Sequence, residues 1–167
     1  MRRLSVIWTF DHKAESRLSA LSGALDTPPI HPHITLGNYL WEEEPLARYL
    51  KEMAPRFSAF PVRLAGIALL SPDILVCLPE AEELGRYHRL FHARHDEYAD
   101  AFTSLKEGNY RPHITLAVDP DGIGENMAVR ARDAFLPGEA RVVALMLSRE
   151  EEGGGFTILK EHALKKE

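Results

Sequence analysis

The chain has 167 residues, 45% hydrophobic and 27% charged, with a formal net charge of −5, a composition expected of one soluble globular domain with a proper core. The negative balance excludes a protein that coats long nucleic acid through a broad basic face, because that mode depends on many phosphate contacts. The single cysteine, Cys77, excludes an intramolecular disulfide framework, reads as a small apolar strand residue, and suits a reducing cytoplasm.

Taken in order, Leu4 to Phe10 reads as a strand; its apolar run is too short to span a membrane and has no cleavage pattern of a secretory leader. Asp11 is the expected N-cap of a helix from Lys13 to Leu25, with Ala14, Leu18, Leu21 and Leu25 at helical spacing. After Asp26-Thr27-Pro28-Pro29, a strand is expected from Ile30 to Leu40. Glu42-Glu43-Glu44-Pro45 opens a helix that runs to Ala54 and stops at Pro55; acidic residues in a first turn suit the helix dipole better than a metal. Phe57 to Leu70 reads as a strand with a bulge near Gly66, and Ser71-Pro72-Asp73 turns the chain. The second half repeats the order: strand Ile74 to Leu78, a long helix from Glu80 to Phe102, strand Arg111 to Val118, helix Ile123 to Phe135, and strands Arg141 to Ser148 and Phe156 to His162 joined through Gly153-Gly154-Gly155. Each half thus reads strand, helix, strand, helix, strand. We expect a single two-lobed domain over residues 1–167, built by duplication with halves of approximately 1–71 and 72–167.

Within this parallel, one phrase occurs twice: Pro32-His33-Ile34-Thr35-Leu36 and Pro112-His113-Ile114-Thr115-Leu116. On a strand, the His and Thr of each copy face one way, about 7 Å apart, while Ile and Leu face the core. Two such strands across a cleft present two imidazoles and two hydroxyls, a set suited to a phosphate flanked by a general acid and a general base. A single His-x-Thr is usually a solvated strand face; the duplicated pair carries the chemical reading.

Two hydrophobic-His-hydrophobic-Thr-hydrophobic strands, one per half, resemble the signature of the 2H phosphoesterase superfamily, and within it the RNA 2′,3′-cyclic phosphodiesterase and 2′-5′ RNA ligase group. The resemblance extends from the opening strand ending at Phe10 to the closing hairpin with Leu145-Met146-Leu147-Ser148. It implies an α+β fold of two pseudo-symmetric lobes, with antiparallel-rich sheets lining a central cleft and helices outside. It further implies a metal-independent enzyme without a cofactor that opens the 2′,3′-cyclic phosphate of a nucleotide or RNA terminus to a 2′-phosphate; the cytoplasmic location expected for it rests on the single cysteine. His33 and His113 are the expected catalytic pair; Thr35 and Thr115 are expected to hold the phosphate. Alternatives are reversible 2′-5′ ligation at the same site, or a nucleotide-binding module without turnover. Which histidine is acid and which is base stays open in so symmetric a sequence.

Other residues are candidate substrate contacts. Arg111, at an even offset from His113, could approach the phosphate or a neighbouring nucleotide, or simply face solvent. Tyr39, Phe10 and Trp8 are candidates for stacking a base, with packing the better reading for Trp8; Phe10 also resembles a cleft-lining position of the family. His88, His92 and His95 share one side of the expected long helix at spacings that could hold a metal, but the apolar stripe around them and the lack of a carboxylate at a ligand offset argue for a core edge. His12 and His31 have less to recommend them.

Overall fold

The computed structural model describes residues 2–166. Seven strands form one antiparallel sheet: β1 (Leu4–Phe10), β2 (Ile34–Tyr39), β3 (Phe60–Ser71), β4 (Ile74–Glu80), β5 (Ile114–Val118), β6 (Gly138–Glu150) and β7 (Phe156–Ala163). Four helices alternate with them: α1 (His12–Gly23), α2 (Glu43–Met53), α3 (Glu82–Phe91) and α4 (Glu125–Ala134). None is long and apolar enough to cross a membrane among the described residues.

The order in the sheet is β2-β1-β6-β3-β4-β5, with β7 on β6. Exchanging β1 with β4, β2 with β5 and β3 with β6 returns the same order read backwards. A duplicated strand-helix-strand-helix-strand unit would produce this topology, which supports our proposal that the halves arose by duplication. The long β6 joins the lobes. Its Val142 pairs with Phe10 on one edge and Phe60 on the other, and beyond it β7 takes over the edge that β3 leaves.

Local sequence explains the helices. Asp11 accepts a hydrogen bond from the Ala14 amide at 3.2 Å and starts α1, which buries Ala14, Leu18 and Leu21. α2 starts on the glutamates and buries Leu46, Tyr49, Leu50 and Met53, and the Tyr49 hydroxyl donates to the Phe91 carbonyl at 2.6 Å, tying it to α3. Trp8 lies at the centre of the core with Phe57 and Phe60 edge-on at 5.3 and 5.5 Å. Cys77 is fully buried, and burial pushes its thiol up to about 12.

Several boundaries differ from the sequence expectation, and three of them bear on the site. The expected strands Ile30 to Leu40 and Arg111 to Val118 begin only at Ile34 and Ile114, so each histidine stands just before its strand. The long helix expected from Glu80 to Phe102 ends at Phe91, with His95 in the left-handed region (φ 63°). The reason is Asp96, whose carboxylate accepts from the Leu105 and Lys106 amides at 2.8 and 3.0 Å and from the Ser104 hydroxyl at 2.8 Å. A side chain that satisfies loop amides competes successfully with continuation of the helix. The expected bulge near Gly66 is present as a register shift between Leu64 and Gly66.

A further device appears once in each half. Ile7 pairs with Thr35 but Val6 with Gly37, leaving Leu36 as a bulge; Val76 pairs with Thr115 but Leu75 with Ala117, leaving Leu116 as a bulge. Each bulge follows the threonine directly, and each bulged carbonyl is capped by a buried side chain from the other half's helix region. His92 donates through Nε2 to the Leu36 carbonyl at 2.8 Å, and the Ser22 hydroxyl donates to the Leu116 carbonyl at 2.7 Å. Ser22 also accepts from the Ile30 amide at 3.2 Å. Ser22→Ala would leave both backbone groups unpaired, and is expected to lower stability by about 1–3 kcal/mol. Urea denaturation of the two proteins measures this; equal midpoints would show that the cap carries no energy.

Candidate active site

A cleft of about 720 Å³ runs between the lobes, and His33, Thr35, His113 and Thr115 all line it. The strands that carry the threonines stand at opposite ends of the strand order, and residues of both line the one cleft. Ile34, Leu36, Ile114 and Leu116 are buried on the other side, which anchors both phrases as alternation requires.

The two histidines are held identically. His33 Nδ1 is 2.7 Å from the His31 carbonyl, and His113 Nδ1 is 2.7 Å from the Arg111 carbonyl. A carbonyl can only accept, so in both rings Nδ1 carries the proton and the neutral form leaves the Nε2 lone pair free. Burial lowers the His33 imidazole from its ordinary 6.5; the bond to the His31 carbonyl opposes this, while the charges that His31 and His113 can carry add to it. Phe156 of β7 packs edge-on to His33 at 6.1 Å and to His31 at 6.3 Å.

Arg111 is exposed and lines the cleft, as does Tyr110. The Tyr110 hydroxyl donates to the Thr35 carbonyl at 2.8 Å, and its ring lies flat on His88 at 3.8 Å. The segment leading into the second phrase is thereby fastened to the first.

Phe10 and Tyr39 are not part of the cleft. Phe10 is 4% exposed and Tyr39 fully buried, both in the main core. Phe10 shares its strand face with Val6 and Trp8, which pack under the helices. Tyr39 would share the face of His33 and Thr35 on a regular strand, but the bulge at Leu36 inverts the alternation beyond it. Asn38 therefore takes the cleft position and Tyr39 stacks on His92, with ring centroids 5.8 Å apart. Gly37 is required beside it, since a Cβ there would stand 2.6 Å from the Tyr39 ring.

The three helix-region histidines do not converge. His88 Nε2 meets the Thr103 carbonyl at 2.7 Å, His92 is committed at both nitrogens to the Leu36 carbonyl and Asp96, and His95 packs against Trp41 at 4.8 Å. Burial and the adjoining His92 depress the His88 imidazole to about 4. Among the described residues no group of three or more His, Cys, Asp or Glu side chains is arranged to hold a metal ion.

The chain and its fold are similar to those of known proteins. A family model described as the 2′-5′ RNA ligase superfamily matches residues 28–154. The fold is similar to the crystal structure of TT0787 of Thermus thermophilus, with a TM-score of 0.70 and 19% identity over 99% of each chain. It is also similar to E. coli LigT complexed with phosphate, with a TM-score of 0.65 and 15% identity over 99% of this chain and 98% of that one, and to LigT complexed with ATP at a TM-score of 0.67 and 15% identity over 99% of each. Among curated proteins, none matches the sequence.

Proposed function

The chain belongs to the 2′-5′ RNA ligase superfamily, and from that premise we propose that it is a phosphodiesterase that hydrolyses 2′,3′-cyclic phosphate ends of nucleotides or RNA to 2′-phosphates. The observation that carries the reading is the matched pair of imidazoles in one cleft, each with Nδ1 tied to a carbonyl two residues earlier and Nε2 left for chemistry.

Hydrolysis needs a water deprotonated as it attacks phosphorus and a departing sugar oxygen protonated on the opposite side. Neutral imidazole serves the first task and imidazolium the second. Thr35 and Thr115 hydroxyls at the same cleft can donate to the non-bridging oxygens as charge builds there, which lowers the barrier if those bonds tighten in the transition state. Two imidazoles and two hydroxyls complete the acid-base scheme, and a metal has no assigned step in it. A second reading, reversible joining of 2′-5′ ends, is the same proton traffic run backwards and draws on the name of the matched family.

Incubation with nucleoside 2′,3′-cyclic phosphates in EDTA tests the proposal, with the product isomer identified by chromatography. A nucleoside 2′-phosphate formed at a rate unchanged by the chelator is expected. Loss of turnover in EDTA with recovery on added zinc would overturn the metal-independent mechanism, and tight binding without product would leave a nucleotide-binding module.

A further inference from the structure

The two halves of the cleft match at the catalytic residues and differ one step away from them. Two positions before Ile7 on β1 lies Ser5, paired with Asn38 on β2 and Ser148 on β6. Two positions before Val76 on β4 lies Ile74, paired with Val118 on β5 and Ser71 on β3. The register makes these rows equivalent, yet the first is polar throughout, while the second is mostly apolar and its Ser71 hydroxyl is turned onto Asp73 at 2.5 Å.

The polar row is wired together. Ser148 donates to the Ser5 carbonyl at 3.3 Å, the Ser5 hydroxyl to Asn38 Oδ1 at 2.6 Å, and Asn38 Nδ2 to Asp100 at 3.2 Å. All four residues line the cleft. The Ser5 and Ser148 oxygens keep acceptor capacity and the Asn38 amide keeps an N–H, so the row can both donate and accept. Across three strands it spans roughly 10 Å. Phe102 and Phe156 also line the cleft and are 75% and 39% exposed.

A ribose 2′,3′-cyclic phosphate has an approximate two-fold axis of its own, through phosphorus and the middle of the C2′–C3′ bond. Rotation about it exchanges O2′ with O3′ and the base-bearing C1′ with C4′. A site with equivalent halves would therefore accept the substrate both ways round and open either P–O bond. We propose that the Ser5–Asn38–Ser148 row is a subsite for the nucleobase side of the nucleoside and selects one of these two orientations, and with it the product isomer.

With the base over this row, O2′ lies towards His33 and O3′ towards His113. Water attacks phosphorus in line with O3′ and passes its proton to His33 Nε2; the P–O3′ bond breaks, and O3′ takes the proton from His113 Nε2, leaving a 2′-phosphate. Burial lowers the His33 imidazole, the direction that suits the base role. The chemistry rests on the function proposed above; the binding preference does not.

The test makes the polar row a copy of its apolar counterpart, with Ser5→Ile and Asn38→Val together, and Ser5→Ala as a milder variant whose small side chain the strand tolerates. Calorimetry with adenosine 2′-monophosphate and with inorganic phosphate is expected to show about a tenfold loss for the nucleotide in the double variant and no change for phosphate. Turnover of adenosine 2′,3′-cyclic phosphate is expected to shift from one isomer to a mixture. Unchanged nucleotide affinity, equal loss for both probes, or a wild-type enzyme that already releases both isomers would overturn the subsite. If no cyclic nucleotide is turned over, the proposed function falls, while the comparison of the two probes still decides the subsite.

Discussion

Alanine at His33 or His113 is expected to lower kcat for a nucleoside 2′,3′-cyclic phosphate by about 10²–10⁴-fold, the range that a positioned general acid or base supplies. The fold should be spared, because each ring stands outside its strand and its Nδ1 bonds only to the backbone two residues away. Thermal melts within a few degrees of wild type would separate lost chemistry from lost structure. The double variant sharpens the test. If the rings act on one transition state as donor and acceptor of a single proton traffic, removing the second costs little once the first is gone. Losses that multiply in full would instead indicate two independent contributions, and near-normal turnover by either single variant would defeat the two-histidine mechanism.

Much of this is legible in the residues because alternation and a repeated order of elements are written in the chain. The doubled His-x-Thr phrase identifies the cleft, and the matching order of elements anticipates a strand order that maps onto itself. Tyr39 is misplaced by such a reading because a bulge leaves no mark in a pattern that counts every second residue; a skip at Leu36 moves Asn38 to the cleft and Tyr39 to the core. Phe10 is misplaced by likeness, although its own parity with Trp8 and Val6 points to the core. The caps on the bulges are invisible for another reason. Ser22 and His92 reach strands that precede or follow them by dozens of residues, and only the packing of each half's helix against the other half's strand brings them there. The polar row is likewise a product of register, since Ser5, Asn38 and Ser148 are scattered in sequence.

Asp96→Ala is expected to cost about 1–3 kcal/mol, the range for leaving part-buried donors without their acceptor, and to lower the melting temperature by roughly 2–12 °C. His92 is 1% exposed and meets a partner at each nitrogen, Asp96 at 2.8 Å and the Leu36 carbonyl at 2.8 Å. Without the carboxylate, the ring loses one acceptor, and the Leu105 and Lys106 amides and the Ser104 hydroxyl lose theirs. Burial alone would raise the Asp96 carboxyl, but bonds from Lys106, Leu105, Ser104 and His92 outweigh it and bring it from its ordinary 3.8 to about 2. A folded-state value below the unfolded one means stability that is present above pH 3.8 and is lost as the pH falls from there towards 2. The stability gap between wild type and Asp96→Ala should therefore be full at neutral pH and shrink through that window. Urea midpoints across the range measure it, and a gap that stays constant with pH would show that the carboxylate's charge is not what holds the loop. Since the same carboxylate orients the ring that caps Leu36, the variant should also loosen the bulge that sets Thr35 on the cleft face, and its kcat should fall further than that of a surface variant with an equal melting temperature.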